Sequence, residues 1–284
     1  MEDDLSKQSR EFLQHKEIHT RWESDYLNPD MDRFYDLAFA DILKRLKPTA
    51  GSTILDAGCG YCYHTTRLAR GGAHITAVDF SEVALNAARD TVNRAGVANQ
   101  VTLRRADLTA LPFDDSSFDY VVSWGVLMHI PQLETALSEL ARVLKPGGVL
   151  VLNENNMNAL DVSVRERLIR IVKYALGRPA EKLQHTARGI EVQKESPDGV
   201  LMVRKTDIAF LTTYLQSLGL RQIARTASQF TEAYTNMPTR FLKRLVYSFN
   251  AIYFKYAMSP ALALGNIIYF QKGFVLKGLE QRVD

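Results

Sequence analysis

Between residues 50 and 155 short apolar runs alternate with stretches in which apolar positions recur every three or four residues. The runs TILDA (53–57), HITAVDF (74–80), VTLRRAD (101–107), FDYVVSW (118–124) and VLVLNE (149–154) read as strands, rich in β-branched residues and nearly continuous in apolar character. The intervening stretches read as helices. The first runs from about Tyr63 to Arg70 and is closed by Gly71 and Gly72. The second starts at the N-cap Ser81, with Glu82 in its first turn. It sets Val83, Ala84, Ala87, Ala88 and Val92 on one face and ends at Gly96. The third opens at Pro131 and stops at Lys145, before Pro146, Gly147 and Gly148. Strands alternating with helices predict a parallel sheet built by right-handed crossovers and covered on both faces.

After Glu154 the alternation loosens. A basic helix is expected over about 161–176. Two strands follow around the turn Ser196-Pro197-Asp198-Gly199, then a helix capped by Thr206 and a sixth strand over LRQIARTASQF (220–230). Residues 238–257 read as helical and NIIYFQKGFVLKG (266–278) as the last strand. The predicted fold is thus α/β, a doubly wound, mostly parallel seven-stranded sheet. Its domain spans residues 49–284, with insertions at about 156–205 and 231–265, and an N-terminal helical segment, 1–48, precedes it.

The stretch DAGCGYCYH (56–64) holds both cysteines of the chain, Cys59 and Cys62, and admits two chemistries. As C-x-x-C at a helix start it is a redox pair, and with His64 it becomes a metal candidate. As Asp56-x-Gly58-x-Gly60 it is a turn whose missing Cβ atoms let a ligand approach the backbone. The second explains more residues. Gly58 and Gly60 sit where the first strand ends, the edge at which open α/β sheets bind ligands. Asp79 ends the second strand, where a carboxylate accepts both hydroxyls of a ribose. Phe80 offers a face to an adenine, and Asp107 ends the third strand, in reach of an adenine amino group. The zinc reading lacks a fourth ligand nearby, so no metal is expected. A dinucleotide turn would want a third glycine where this chain has Tyr63, and would leave Asp56 without a role.

ILDAGCGYCYHTTRLA, AVDFS, ADLTALPFDDSSFDYVVS and ALSELARVLKPGGVLVL, in that order over roughly residues 50–155, resemble a class I S-adenosylmethionine-dependent methyltransferase of the small-molecule type. The resemblance implies S-adenosylmethionine as cofactor. It implies Asp56, Gly58 and Gly60 around the methionine part, with Cys59 as a small filler between the glycines. It implies Asp79 on the ribose, with Phe80 beside it, Asp107 and Leu108 at the adenine, and Ser123 and Trp124 near the reacting end. It also implies that the N-terminal segment folds over the cofactor, with Trp22 and Tyr26 as lid aromatics. Two other classes stay open: a nicotinamide oxidoreductase on a similar sheet, and a non-catalytic cofactor-binding relative.

If the acceptor is a hydroxyl, its proton needs a base. His129, just past the fourth strand, is the first candidate because histidine titrates near neutral pH. His64 and Glu154 are lesser ones.

Charge and composition bear on the acceptor. Residues 1–155 carry 16 Lys+Arg against 22 Asp+Glu, a net of −6, and residues 156–284 carry 19 against 10, a net of +9. The basic half contains two amphipathic stretches. One has Val164, Leu168, Ile169 and Val172 among Arg165, Arg167, Arg170 and Lys173. The other has Phe241, Leu245, Phe249 and Ile252 among Arg240, Lys243, Arg244 and Lys255. They predict helices packed on the sheet or a lid over an apolar, lipid-linked or natural-product-like acceptor, with peripheral contact to an anionic membrane as the further expectation. The small overall charge of +3 and the absence of an aromatic-basic recognition motif argue against nucleic acid. The N-terminus lacks a basic-then-apolar signature and no run is apolar enough to span a bilayer, so a cytoplasmic setting is expected.

Overall fold

In the computed structural model, the described residues are 7–9, 11–12, 26, 28–164, 171, 183–196, 199–256 and 258–274. The expected lid residue Trp22 and most of the predicted helix 161–176 lie outside them.

A seven-stranded sheet forms the centre, ordered β3-β2-β1-β4-β5-β10-β9. Its strands are β1 (Thr53–Ala57), β2 (His74–Asp79), β3 (Val101–Arg105), β4 (Phe118–Trp124), β5 (Leu144–Asn155), β9 (Leu220–Ala227) and β10 (Gly265–Lys272). β1 to β5 pair in parallel. β10 runs antiparallel between β5 and β9. The order reverses at β1/β4, so the turns after β1 and β4 diverge and leave a crevice above the sheet.

Helices cover both faces. On one side α1 (Pro29–Leu46), α2 (Thr65–Leu68), α3 (Glu82–Arg94) and α6 (Arg240–Lys255) bury Phe34, Phe39, Ile42, Leu68 and Val92 against Ile54, Ile75, Val122 and Val151. On the other, α4 (Leu133–Val143) and α5 (Ile208–Ser217) bury Leu137, Leu140, Leu211 and Leu215 against Leu55, Val121, Leu150 and Ile268. α1 is set by its cap: the Asn28 side chain accepts the Asp30 N–H and Pro29 occupies the first turn.

Several expectations shift. The first post-strand helix is shorter than predicted, a four-residue α2 followed by a 3₁₀ turn (Ala69–Gly71), since Gly72 at φ +76° ends it. Thr206 does not cap α5. Asp207 does, its carboxylate accepting the Ala209 and Phe210 N–H groups, while Thr206 turns inward. β5 starts at Leu144, five residues before the predicted strand, with a register irregularity opposite Phe118 and Tyr120 that absorbs Pro146 and the two glycines. The insertion after β5 holds three strands rather than two: β6 (Leu183–Thr186), β7 (Gly189–Ser196) and β8 (Gly199–Thr206) form a separate antiparallel sheet.

Candidate active site

A cavity of about 370 Å³ opens above the carboxyl ends of β1, β2, β4 and β5. The glycine turn forms one side. Gly58 has φ +85°, and a Cβ there would meet Val126 at 2.5 Å, so no other residue fits without moving the turn after β4. Gly60 has φ +51° and open space where a Cβ would stand. The Asp79 carboxylate accepts the Gly60 N–H and the Ser81 N–H, each at 2.9 Å, tying the turn after β1 to the end of β2. Phe80, Asp107 and Leu108 continue the wall. Asp107 is oriented by Thr109, whose N–H and hydroxyl both donate to its Oδ1.

Asp56 does not line the cavity. It is buried beneath the turn, where the Thr65 hydroxyl donates to it at 2.5 Å, and burial raises its pKa to about 6. Its place is to brace α2 against β1 through Thr65 rather than to line the cavity. Cys59 lines the cavity and Cys62 is buried. A hydrogen bond with Cys62, together with burial, pushes the Cys59 thiol well above its ordinary pKa, opposite to what a redox nucleophile requires. Among the described residues no group of three or more metal-ligating side chains converges.

Beyond the turn the cavity is ringed by aromatics: Tyr26, Phe34 and Tyr35 from the N-terminal part, Tyr63 and His64 from the turn before α2, and Trp124 from the end of β4. His64 lies in this cluster, stacked on Phe39 at 4.9 Å and against Tyr35 at 4.5 Å and Trp124 at 5.4 Å. Burial and the nearby Arg67 lower its pKa to about 3, so it is neutral and can hydrogen-bond but is a poor proton acceptor.

His129 also lines the cavity, from the 3₁₀ turn Leu127–His129. Its Nδ1 lies 3.0 Å from the Met202 carbonyl oxygen of β8. Arg204, fully buried on the same strand, donates to the carbonyls of Leu127, Ile130 and Pro131 and to Glu191. The hairpin insertion therefore fixes the His129 turn. Leu201 and Val203 of β8 supply an apolar wall.

Alternate residues of β5 face opposite ways. Asn153 and Asn155 line the cavity, whereas Glu154 points to the other face, under Thr206, whose hydroxyl donates to its Oε2 at 3.2 Å. Burial raises Glu154 to about pH 7. The structure therefore removes Glu154 from contact with the cavity, correcting its candidacy as the base. Ser123 is displaced from the cavity by the same alternation, being fully buried one residue before Trp124. The sequence reading missed Tyr35, Asn153, Asn155, Gln229, Glu232 and the β8 side chains. Only the position of Asn153 and Asn155, just past an apolar strand, was a usable signal.

Residues 55–152 match the family described as "Methyltransferase domain". The chain is 43% identical over 112 residues to the demethylmenaquinone methyltransferase of Clavibacter sepedonicus, covering 39% of this chain and 44% of that one. It is 35% identical over 132 residues to the O-methyltransferase cnsE of Penicillium expansum, covering 46% and 48%. The chain thus spans about half the length of the curated relatives it matches. The structure of a magnesium protoporphyrin IX methyltransferase from Synechocystis superposes with a TM-score of 0.60 at 16% identity, over 91% of this chain and 95% of that one.

Proposed function

We propose that this chain, a class I S-adenosylmethionine-dependent methyltransferase over residues 55–152, methylates a hydroxyl or carbon of an apolar small molecule held in the aromatic-lined cavity. The observation that carries the reading is the convergence of the positive-φ glycine turn, Asp79 and Asp107 on one cavity, with an aromatic chamber beside them.

S-adenosylmethionine supplies, when bound, a methyl carbon activated by its sulfonium. The chain's residues supply the rest. Gly58 and Gly60 would let the backbone come close, Asp79 would accept the ribose hydroxyls, and Asp107 with Phe80 and Leu108 would hold the adenine. Holding an acceptor in line by packing against Tyr35, Trp124 and Val203 replaces a bimolecular encounter, an effect worth several kcal/mol, on the order of 7 or more at best. His129 takes the proton that an acceptor hydroxyl loses. With Nδ1 donating to Met202, the lone pair is on Nε2.

Ser9 and Tyr26 reach the cavity from the N-terminal segment, in keeping with a lid. The outer face of α6 exposes Phe241, Leu245, Phe249 and Ile252, with Tyr256 exposed at its C-cap, and α6 carries Arg240, Lys243, Arg244 and Lys255 with no acidic residue. These features support peripheral contact with an anionic membrane. No helix among the described residues is long and apolar enough to cross one.

Calorimetry with S-adenosylmethionine, S-adenosylhomocysteine and NAD tests the reading. Saturable binding of the two adenosyl ligands and none of NAD is expected. Binding of NAD alone would return the chain to the oxidoreductase class, and binding without turnover on a panel of hydroxylated metabolites would favour the non-catalytic class.

A further inference from the structure

Ten of the thirteen large apolar side chains that stand exposed among the described residues belong to three adjoining segments. The first is α6, where Leu242, Leu245, Phe249 and Ile252 recur at steps of three and four residues, with Phe241 beside them and Tyr256 at the C-cap. The second is the loop that follows, with Met258 and Leu262. The third is the helical turn 160–164, with Leu160 and Val164. Hydrogen bonds fix the three together. The Tyr253 hydroxyl of α6 donates to the Ser259 carbonyl at 2.8 Å, the Leu160 N–H to the Leu262 carbonyl at 3.1 Å, and the Asn156 side chain to the Ala261 carbonyl at 2.9 Å. A contiguous exposed apolar patch of this kind marks an interaction site. It adjoins the cavity. Asn250 of α6, fully buried, accepts the Phe230 N–H at 3.0 Å and donates to the Thr231 carbonyl at 2.9 Å, and the same segment supplies Gln229 and Glu232 to the cavity lining. The Phe230 ring meets the exposed Phe249 edge-on at 5.5 Å.

We infer that α6, the loop 258–262 and the turn 160–164 form one composite face that docks on an anionic lipid bilayer. The inference rests on the peripheral contact of α6 proposed above and extends it to two further segments. Charge selects the occupant. α6 carries Arg240, Lys243, Arg244 and Lys255 and no acid, and residues 256–264 carry no acid either. Asp30 of α1 pairs with Arg240 and Arg244, at 3.5 and 2.9 Å, which leaves the cluster net positive. Asp161, the acid of the third segment, has its Oδ2 buried. Apolar side chains flanked by cations suit the boundary between headgroups and acyl chains. A second copy of the chain fits less well. A two-fold contact that sets α6 antiparallel to itself brings Arg240 of one copy to Lys255 of the other, with no acid on either helix.

Flotation of the full chain at low salt with phosphatidylcholine vesicles, with and without phosphatidylserine, tests this. Wild type is expected to float with the phosphatidylserine vesicles and to stay behind with pure phosphatidylcholine. Leu160→Ser combined with Leu262→Ser, which leaves α6 intact, is expected to weaken that binding about tenfold, since each side chain is about half-exposed and loses part of its transfer energy. Circular-dichroism melts report whether the pair is folded. Met258→Ser, at an exposed loop position, is expected to weaken binding roughly threefold and carries the test where the pair is unstable. Wild-type binding by these variants overturns the composite face, and loss in Phe241→Ser with Leu245→Ser alone then leaves the α6 contact standing. Wild type that floats with neither vesicle overturns both. Equal flotation with both vesicles overturns the anionic requirement and the inference with it. A dimer in light scattering that the Leu160→Ser, Leu262→Ser pair converts to monomer assigns the face to a second copy and overturns the inference as well.

Discussion

Nδ1 of His129 donates to the main-chain oxygen of Met202, 73 residues further along the chain, at 3.0 Å. His129, on the turn after β4, is therefore oriented by a strand of the insertion, and its tautomer is set by that contact.

If His129 is the base, His129→Ala lowers kcat for a hydroxyl acceptor by roughly 100-fold or more while S-adenosylhomocysteine affinity is unchanged. Steady-state kinetics with parallel calorimetry separates the two. An unchanged kcat removes His129 from the chemistry.

Arg204 ties the same turn from behind. Arg204→Met strands Glu191 and three carbonyl oxygens, and should cost about 3 kcal/mol of stability by urea denaturation. Arg204→Lys, which keeps the charge but not the fork, should recover only part of it.

Glu154 gives the fold a pH dependence. Its pKa is raised from 4.5 to about 7 by burial, so the folded state binds the proton more tightly than the unfolded one. Stability from this group is full below pH 4.5, falls as pH rises through about 7, and is flat above. Glu154→Gln removes the dependence, so it should match wild type near pH 4.5 and exceed it at pH 8 by on the order of 2–3 kcal/mol. Asp56, raised to about 6 and also buried, acts in the same direction and remains in both proteins. Equal stability of the two proteins at pH 8 would refute a raised native pKa for Glu154.

If Asp79 is the ribose acceptor, Asp79→Ala removes it and also frees the Gly60 and Ser81 N–H groups. S-adenosylhomocysteine binding should fall roughly 100-fold by calorimetry, the worth of two charge-assisted hydrogen bonds.

The exposed face of α6 is tested by flotation. Wild type should float with vesicles containing phosphatidylserine at low salt, and Phe241→Ser combined with Leu245→Ser should not. Flotation that is unchanged in the double variant would place the contact elsewhere.

The glycine turn and the strand-end acids were legible because each is a local requirement. A turn that needs φ above zero takes glycine, and apolar runs bounded by helices mark strands of a covered sheet. What stayed hidden depends on distant pairing. Leu183–Thr186 is polar and mostly exposed, so no alternation announces β6, and it exists because β7 offers an edge. Glu154 and Asn153 adjoin in sequence, and only the facing of β5 sends one to the chamber and the other beneath Thr206. Val203 lies about 80 residues from Trp124 and reaches the same cavity through the hairpin.

β10 is the last strand among the described residues and lies between β5 and β9 rather than at the sheet's margin. During synthesis, a nascent chain that has released every earlier element still lacks the partner that covers β5, the strand bearing Asn153. The two halves of the sheet can dock only by insertion of this late segment, a closure across long sequence separation that is slow by nature. Ribosome-bound intermediates would carry raw edges on both flanks of the gap, where an assisting chaperone has its natural grip.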